Sequence, residues 1–190
     1  MNIHNIIENT TAEGPGNRFA IWVQGCSRRC TGCFARETWS HEDNLVLSVD
    51  TITETMASYL GVIEGITVLG GEPFEQPFEL QLILYRAKAM GLSTIVSTGY
   101  YYSELLNSQN DSVAKALKYI DVLADGPYVE KQKSFNTPMI GSSNQTLHFL
   151  TDRYCNNDFY TNRIQIKINK EGTMKINGMA DFDQLKKELI

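Results

Sequence analysis

Three of the four cysteines, Cys26, Cys30 and Cys33, fall within eight residues, and the fourth, Cys155, lies far along the chain. Thiols set this close cannot staple distant segments, which is the task of a disulfide framework. They can bind metal. Thiolates are the usual protein ligands of iron–sulfur clusters, and a cubane ordinarily takes four of them. The spacing Cys-x3-Cys-x2-Cys supplies three, which leaves one iron open, and an open position is what a catalytic metal centre needs. The competing reading is a structural zinc site, a non-enzymatic metal-binding module completed by Cys155 or a histidine. Closed zinc sites usually draw their ligands as two separated pairs, and His4, His41 and His148 show no such spacing. The cysteines alone leave both readings open and favour iron–sulfur.

A second group with chemical potential is Gly70-Gly71-Glu72-Pro73. Glycines let a backbone approach a ligand closely, and backbone carbonyls with a carboxylate can accept hydrogen bonds from an ammonium. The same four residues also make an ordinary strand-to-helix turn.

Regular elements must carry these groups. Residues 18–24 read as a buried strand that delivers the chain into the cysteine loop. Ser48 or Asp50 can cap a helix with Ile52, Met56, Leu60 and Ile63 on one face. Residues 65–69 form a short buried strand running into the glycine turn. Pro77 opens a helix with Phe78, Leu82, Tyr85 and Ala89 on its buried side, and Gly91 ends it. Residues 92–97 are the next strand. Two helical pieces between Tyr102 and Ile120 break near Asn107–Asp111, and the strand 120–124 ends at Asp125-Gly126. Alternating strands and helices indicate an α/β fold with a mostly parallel sheet and right-handed crossovers. Beyond residue 152 the pattern changes. Segments 163–168 and 173–177 flank Glu171-Gly172 as a β-hairpin, and a short helix, 181–189, follows. The expected organisation is therefore a domain of residues 1–152 and an extension of residues 153–190.

The bulk numbers narrow the partners. A net charge of -5 over 190 residues gives no general attraction to nucleic acid or to an anionic membrane. No run of about 18 apolar residues exists, so no spanning helix is expected. The N-terminus lacks the basic region and apolar run of a signal peptide, and a cytoplasmic, reducing setting is the expectation.

Cys26, Cys30 and Cys33, followed by Phe34, resemble the signature of radical-SAM enzymes, and the glycine turn resembles their second element. The likeness extends to one family, the anaerobic ribonucleotide reductase activating proteins. It rests on Gly14-Pro15-Gly16-Asn17-Arg18, Gly25-Cys26, Cys33-Phe34 with Glu37-Thr38-Trp39, and Thr98-Gly99-Tyr100. It continues through Lys118–Val122 to Asp125-Gly126, and Gly141–Gln145 with Leu147-His148. Pro127 departs from it, standing where that family commonly has a lysine, and residues 153–190 run past its usual end.

The resemblance implies an incomplete, open (β/α) radical-SAM barrel with one [4Fe–4S] cluster on Cys26, Cys30 and Cys33. It implies S-adenosyl-L-methionine held by Gly32, Cys33, Phe34, Gly70, Gly71, Glu72 and Pro73, with Ser97, Thr98 and Asp125 approaching from the next two strand ends. No general acid or base is required. The implied reaction is reductive cleavage of the cofactor to a 5'-deoxyadenosyl radical, which makes a glycyl radical on a large anaerobic ribonucleotide reductase. A flavodoxin- or ferredoxin-like protein would donate the electron. A radical-SAM reaction on another peptide or a small molecule is the alternative within the same chemistry.

Overall fold

The computed structural model describes residues 1–159 and 164–180. A mixed sheet of seven strands runs in the order β3-β1-β2-β4-β5-β6-β7. Its elements along the chain are β1 (Asn2–Thr10), β2 (Arg18–Val23), β3 (Leu45–Val46), α1 (Val49–Ala57), β4 (Gly65–Gly70), α2 (Pro77–Ala89) and β5 (Ser93–Ser97). There follow α3 (Tyr102–Leu106), α4 (Asp111–Leu117), β6 (Val122–Asp125) and β7 (Thr146–Phe149). The four central strands, β2, β4, β5 and β6, pair in parallel through helical crossovers. β1 and β7 border them antiparallel. Parallel pairing lines up the carboxyl ends of β2, β4, β5 and β6 on one side, where loops of α/β sheets build their sites.

The central strands are buried along nearly their whole length, as near-continuous apolar runs in parallel sheets must be. Phe19, Ile21, Ile66, Val68, Val96 and Leu123 meet the helices in one core. Arg18 opens β2 as a fully buried cation. Its guanidinium donates to Thr67 Oγ1, Ser93 Oγ, Tyr154 Oη and the carbonyls of Ile66 and Ser93. Burial holds its pKa down to about 10.

Local capping follows the residues that permit it. Ser48 caps α1, its hydroxyl accepting from Thr51 N at 3.0 Å. Pro77 stands in the first turn of α2, and Gly91 takes φ +80° just past its end. The break between the two short helices falls where expected, with Asn110 capping α4 by accepting from Ser112 N.

Four features differ from the sequence expectations. β1 had no counterpart among the expected strands; its mixed polar sequence carries a weak period, and pairing with β2 fixes it. β7 likewise emerges from a segment read only as a family likeness. Helix α1 stops at Ala57, so Leu60 is exposed and Ile63 reaches the core from the turn. The buried side of α2 is Leu80, Ile83, Leu84 and Ala87, while Phe78 and Tyr85 are exposed. That helix carries apolar residues most of the way round, so periodicity does not select its face and the sheet does.

The expected change of pattern near residue 152 is not a break in packing. Tyr154 bonds Ser93 and Arg18, Arg153 donates to Gly91 O, and Phe159 is buried against Phe149 and Tyr154. Past them, β8 (Ile164–Ile168) and β9 (Met174–Gly178) form the expected antiparallel hairpin, with Gly172 at φ +80° in its turn. The helix expected over 181–189 lies outside the described residues. Among the described residues no helix is long and apolar enough to cross a membrane.

Candidate active site

The cysteine loop leaves the end of β2 and is closed at its base by backbone bonds. Gly25 N donates to Thr38 O at 2.7 Å and Cys26 N to Trp39 O at 3.3 Å. Three further contacts hold it against the neighbouring strand ends. Ser27 N donates to Glu75 Oε1 at 2.8 Å, and His41 Nε2 lies 2.8 Å from Glu75 Oε2. Arg28 crosses to β5, donating to Gly99 O at 2.6 Å and stacking 4.5 Å above the Tyr100 ring. Arg28 therefore latches the loop to the segment that follows β5.

All three thiols of the loop are free cysteines, as is the exposed Cys155. Burial pushes the Cys26 thiol up, opposed by the Arg29 and Arg28 backbone N–H groups that bond its sulfur. Ala35 N donates to Cys33 Sγ at 3.4 Å. Peptide N–H groups aimed at sulfur suit thiolates that carry a cluster, and such bonds are among the levers that set cluster potential. Three thiols in one loop are the donor type that iron–sulfur clusters use.

The glycine turn fits tightly under this loop. Gly71 N donates to Val23 O and Glu72 N to Gly25 O, both at 2.8 Å. A Cβ on Gly71 would meet Gly25 O at 2.3 Å, and Gly70 holds φ +101°. The two glycines are needed for backbone-on-backbone contact.

Glu72 differs from its expected task. Its side chain is 1% exposed, and both oxygens are engaged inside the protein. Oε1 accepts from Phe74 N at 3.0 Å and Thr98 Oγ1 at 2.7 Å, and Oε2 accepts from Gly99 N at 2.8 Å. Burial pushes its pKa up to about 7. The carboxylate ties the end of β4 to the end of β5. Thr98 is buried with it.

Asp125 is also turned inward. Its Oδ2 accepts from Tyr102 N at 2.6 Å, and His148 Nε2 lies 3.1 Å away, out of line for a hydrogen bond.

A cavity of about 680 Å³ opens beside the loop. Cys33, Phe34, Gly70 and Ser97 line it, so four of the expected site residues meet there. Cys26, Cys30, Gly32, Gly71, Glu72, Pro73, Thr98 and Asp125 are not part of its lining. Gly32 holds φ +78° against the Glu130 carboxylate. Phe34 is half exposed and packs edge-on against Tyr128 at 5.1 Å, with Phe135 at 5.9 Å.

Sequence reasoning missed several lining residues. Trp22, on the strand expected to be buried, is half-buried and faces the cavity with Leu69, Met139 and Gln145. Its place in an apolar strand gave no sign of this. Gln145 ties the chain down by accepting from Gly141 N and donating to Gly126 O, and Asn144 donates to Pro127 O. The hairpin contributes Lys167, Lys175, Ile176 and Asn177 to the far wall. Asn177 Nδ2 bonds Thr10 Oγ1 and Glu13 Oε1, and Lys167 Nζ bonds Asn9 O.

The family described as 4Fe-4S single cluster domain matches residues 12–148. The anaerobic ribonucleoside-triphosphate reductase-activating protein of Escherichia coli (strain K12) is 32% identical over 79% of this chain and 99% of its own length. Its namesake from Enterobacteria phage T4 is 31% identical over 80% of this chain and 96% of its own. A pyruvate formate-lyase-activating enzyme of Staphylococcus epidermidis is 33% identical over 50% of this chain and 40% of its own. Among solved structures, QueE from Escherichia coli aligns at a TM-score of 0.41 and 18% identity over 51% of each chain.

Proposed function

The chain belongs to the 4Fe-4S single cluster domain family, and on that footing we propose that it is a radical-SAM activase acting on an anaerobic ribonucleoside-triphosphate reductase. Cys26, Cys30 and Cys33 are the cluster ligands, and S-adenosylmethionine lies in the cavity beside them. The observation that carries the reading is the meeting of Cys33, Phe34, Gly70 and Ser97 on one cavity at the strand ends. The names of the relatives supply the reductase.

Cys26, Cys30 and Cys33 would hold the cluster, which when bound would supply the single electron for reductive cleavage of S-adenosylmethionine. The hydrogen atom that completes 5'-deoxyadenosine would come from a glycine Cα of the reductase, which would keep the unpaired electron.

The protein's part is positional, as in other cofactor enzymes. Phe34 offers an aromatic face for adenine, backed by Tyr128. The Gly70-Gly71 turn would receive the methionine part, and Ser97 would contribute a hydroxyl to the ribose or methionine part. Glu72, Thr98 and Asp125 hold the strand ends in register without touching the cofactor. Arg28 and Glu75 fix the loop. A small flavodoxin- or ferredoxin-like protein supplies the electron from the loop's exposed side.

Purification without oxygen, reconstitution with iron and sulfide, reduction and addition of S-adenosylmethionine test the first half. 5'-Deoxyadenosine is expected, and none from Cys30→Ala. Adding the reductase is expected to yield a glycyl radical by electron paramagnetic resonance. An intact reduced cluster that never cleaves the cofactor, with or without the reductase, would overturn the reading.

A further inference from the structure

Among the described residues the outer edge of β1 is paired over only part of its length. β3 covers Asn2 and Ile3, through Asn2↔Val46 and Ile3↔Leu45. At the other end, Lys167 Nζ takes Asn9 O and Asn177 takes the Thr10 hydroxyl. Between these two covers lie His4–Glu8, about 17 Å of extended chain. Among the described residues the one bond to this edge is a 3.4 Å contact from Asn44 Nδ2 to His4 O.

The same five residues, His4, Asn5, Ile6, Ile7 and Glu8, line the cavity that holds Cys33 and Phe34. Successive residues of a strand point to opposite faces, and Ile6 packs on the core side of the sheet. Five consecutive residues border the cavity on a strand whose register shifts at both ends of the stretch, so the cavity reaches the backbone of β1 as well as one of its faces. An unpaired edge is a template for another strand.

From this geometry we infer that His4–Glu8 is a strand-addition slot for an extended segment of the protein substrate. The inference rests on the function proposed above and adds how the polypeptide is held. Main-chain bonds to β1 fix the segment's register, so that one of its residues is presented to the cavity beside Phe34. The slot's far end carries a charge preference. Lys167 and Lys175 stand directly opposite each other in the hairpin and both line the cavity. Like charges so placed repel, and an acidic side chain on the incoming segment relieves them. The hairpin, beyond the stretch matched by the family, thus sets the length of the slot and the charge at its end.

Amide hydrogen exchange of the reconstituted protein, alone and with the large reductase, tests this. In the free protein, outward amides within His4–Glu8 are expected to exchange readily. In the complex they are expected to slow at least tenfold. A synthetic peptide spanning the reductase's glycine segment is expected to compete, and to lose at least tenfold in affinity when its alternate amides are N-methylated. Protection of His4–Glu8 in the free protein would mean that the chain's own residues 181–190 or a second copy fill the slot, and would overturn the inference. So would a complex that forms and yields a glycyl radical while these amides are unchanged, which would leave the activase reading standing. A protein that cleaves S-adenosylmethionine but forms no complex with the reductase would remove the named partner and the slot's occupant together.

Discussion

Thr98 Oγ1 donates to Glu72 Oε1 at 2.7 Å, and this buried bond joins the end of β4 to the end of β5 directly beneath the cysteine loop. With Gly99 N on the other oxygen, the carboxylate acts as a brace between two strand ends. Its surroundings make the brace sensitive to pH.

Glu72 has its pKa raised by burial from 4.5 to about 7, so the folded protein binds this proton more tightly than the unfolded chain does. The contribution to stability is most favourable below pH 4.5 and declines as pH rises from there to about 7. The full decline is about 3 kcal/mol. Urea unfolding at a series of pH values is expected to show this slope in the native protein, and Glu72→Gln is expected to lack it. Equal slopes for the two proteins would show that the carboxylate is not buried as described.

Gly71→Ala places a methyl group 2.3 Å from Gly25 O, a backbone atom that cannot swing aside. The turn must then lift from the cysteine loop and lose the Glu72 N to Gly25 O bond. Iron and sulfide per chain after reconstitution are expected to fall several-fold while the circular dichroism spectrum is kept. Full cluster loading in this variant would remove the turn from the site.

Arg18 makes bonds to three side chains and two carbonyls in a fully buried setting. Arg18→Met leaves those acceptors without a donor, at a cost of at least about 3 kcal/mol. Denaturant unfolding of the apoprotein reads this directly. The same change is expected to loosen Tyr154, which shares Ser93 with the guanidinium.

Arg28→Ala removes the latch to Gly99 O and the stacking on Tyr100. A charge-assisted hydrogen bond is worth about 1.5–3 kcal/mol. The concentration of S-adenosylmethionine giving half-maximal 5'-deoxyadenosine is therefore expected to rise roughly tenfold or more, with the cluster retained. An unchanged value would make Arg28 a surface residue only.

Cys155→Ala is expected to leave iron content unchanged, and Cys30→Ala to abolish cluster assembly. Cys155 is exposed, and its backbone N–H donates to Asp158 Oδ2 in a short turn, away from the cavity lining.

The cysteine spacing, the glycine turn and the alternation of strands and helices from β4 to β6 were legible in the chain because each is a local property. Three thiols in one short loop cannot avoid being neighbours. Runs such as Phe19–Val23 and Ile66–Leu69 are apolar enough to be buried strands in almost any arrangement, and Pro77 and Gly91 bracket a helix by their backbone chemistry alone. Other features depend on what lies across from a residue. The face that α2 buries, the pairing of β1, and the choice of Trp22 as lining are of this kind. Glu72 shows the limit most clearly. Its sequence context matches a ligand-binding turn, yet Thr98 and Gly99, distant in the chain, take both of its oxygens once β4 and β5 pair. The hairpin was visible from Glu171-Gly172, but its position against Asn9, Thr10 and Glu13 was not, because those contacts join the two ends of the molecule. The sequence by itself determined which groups could do chemistry. The tertiary structure decided which of them face the cavity and which are turned inward to hold it, because a side chain's partners are set by long-range pairing that no local pattern encodes.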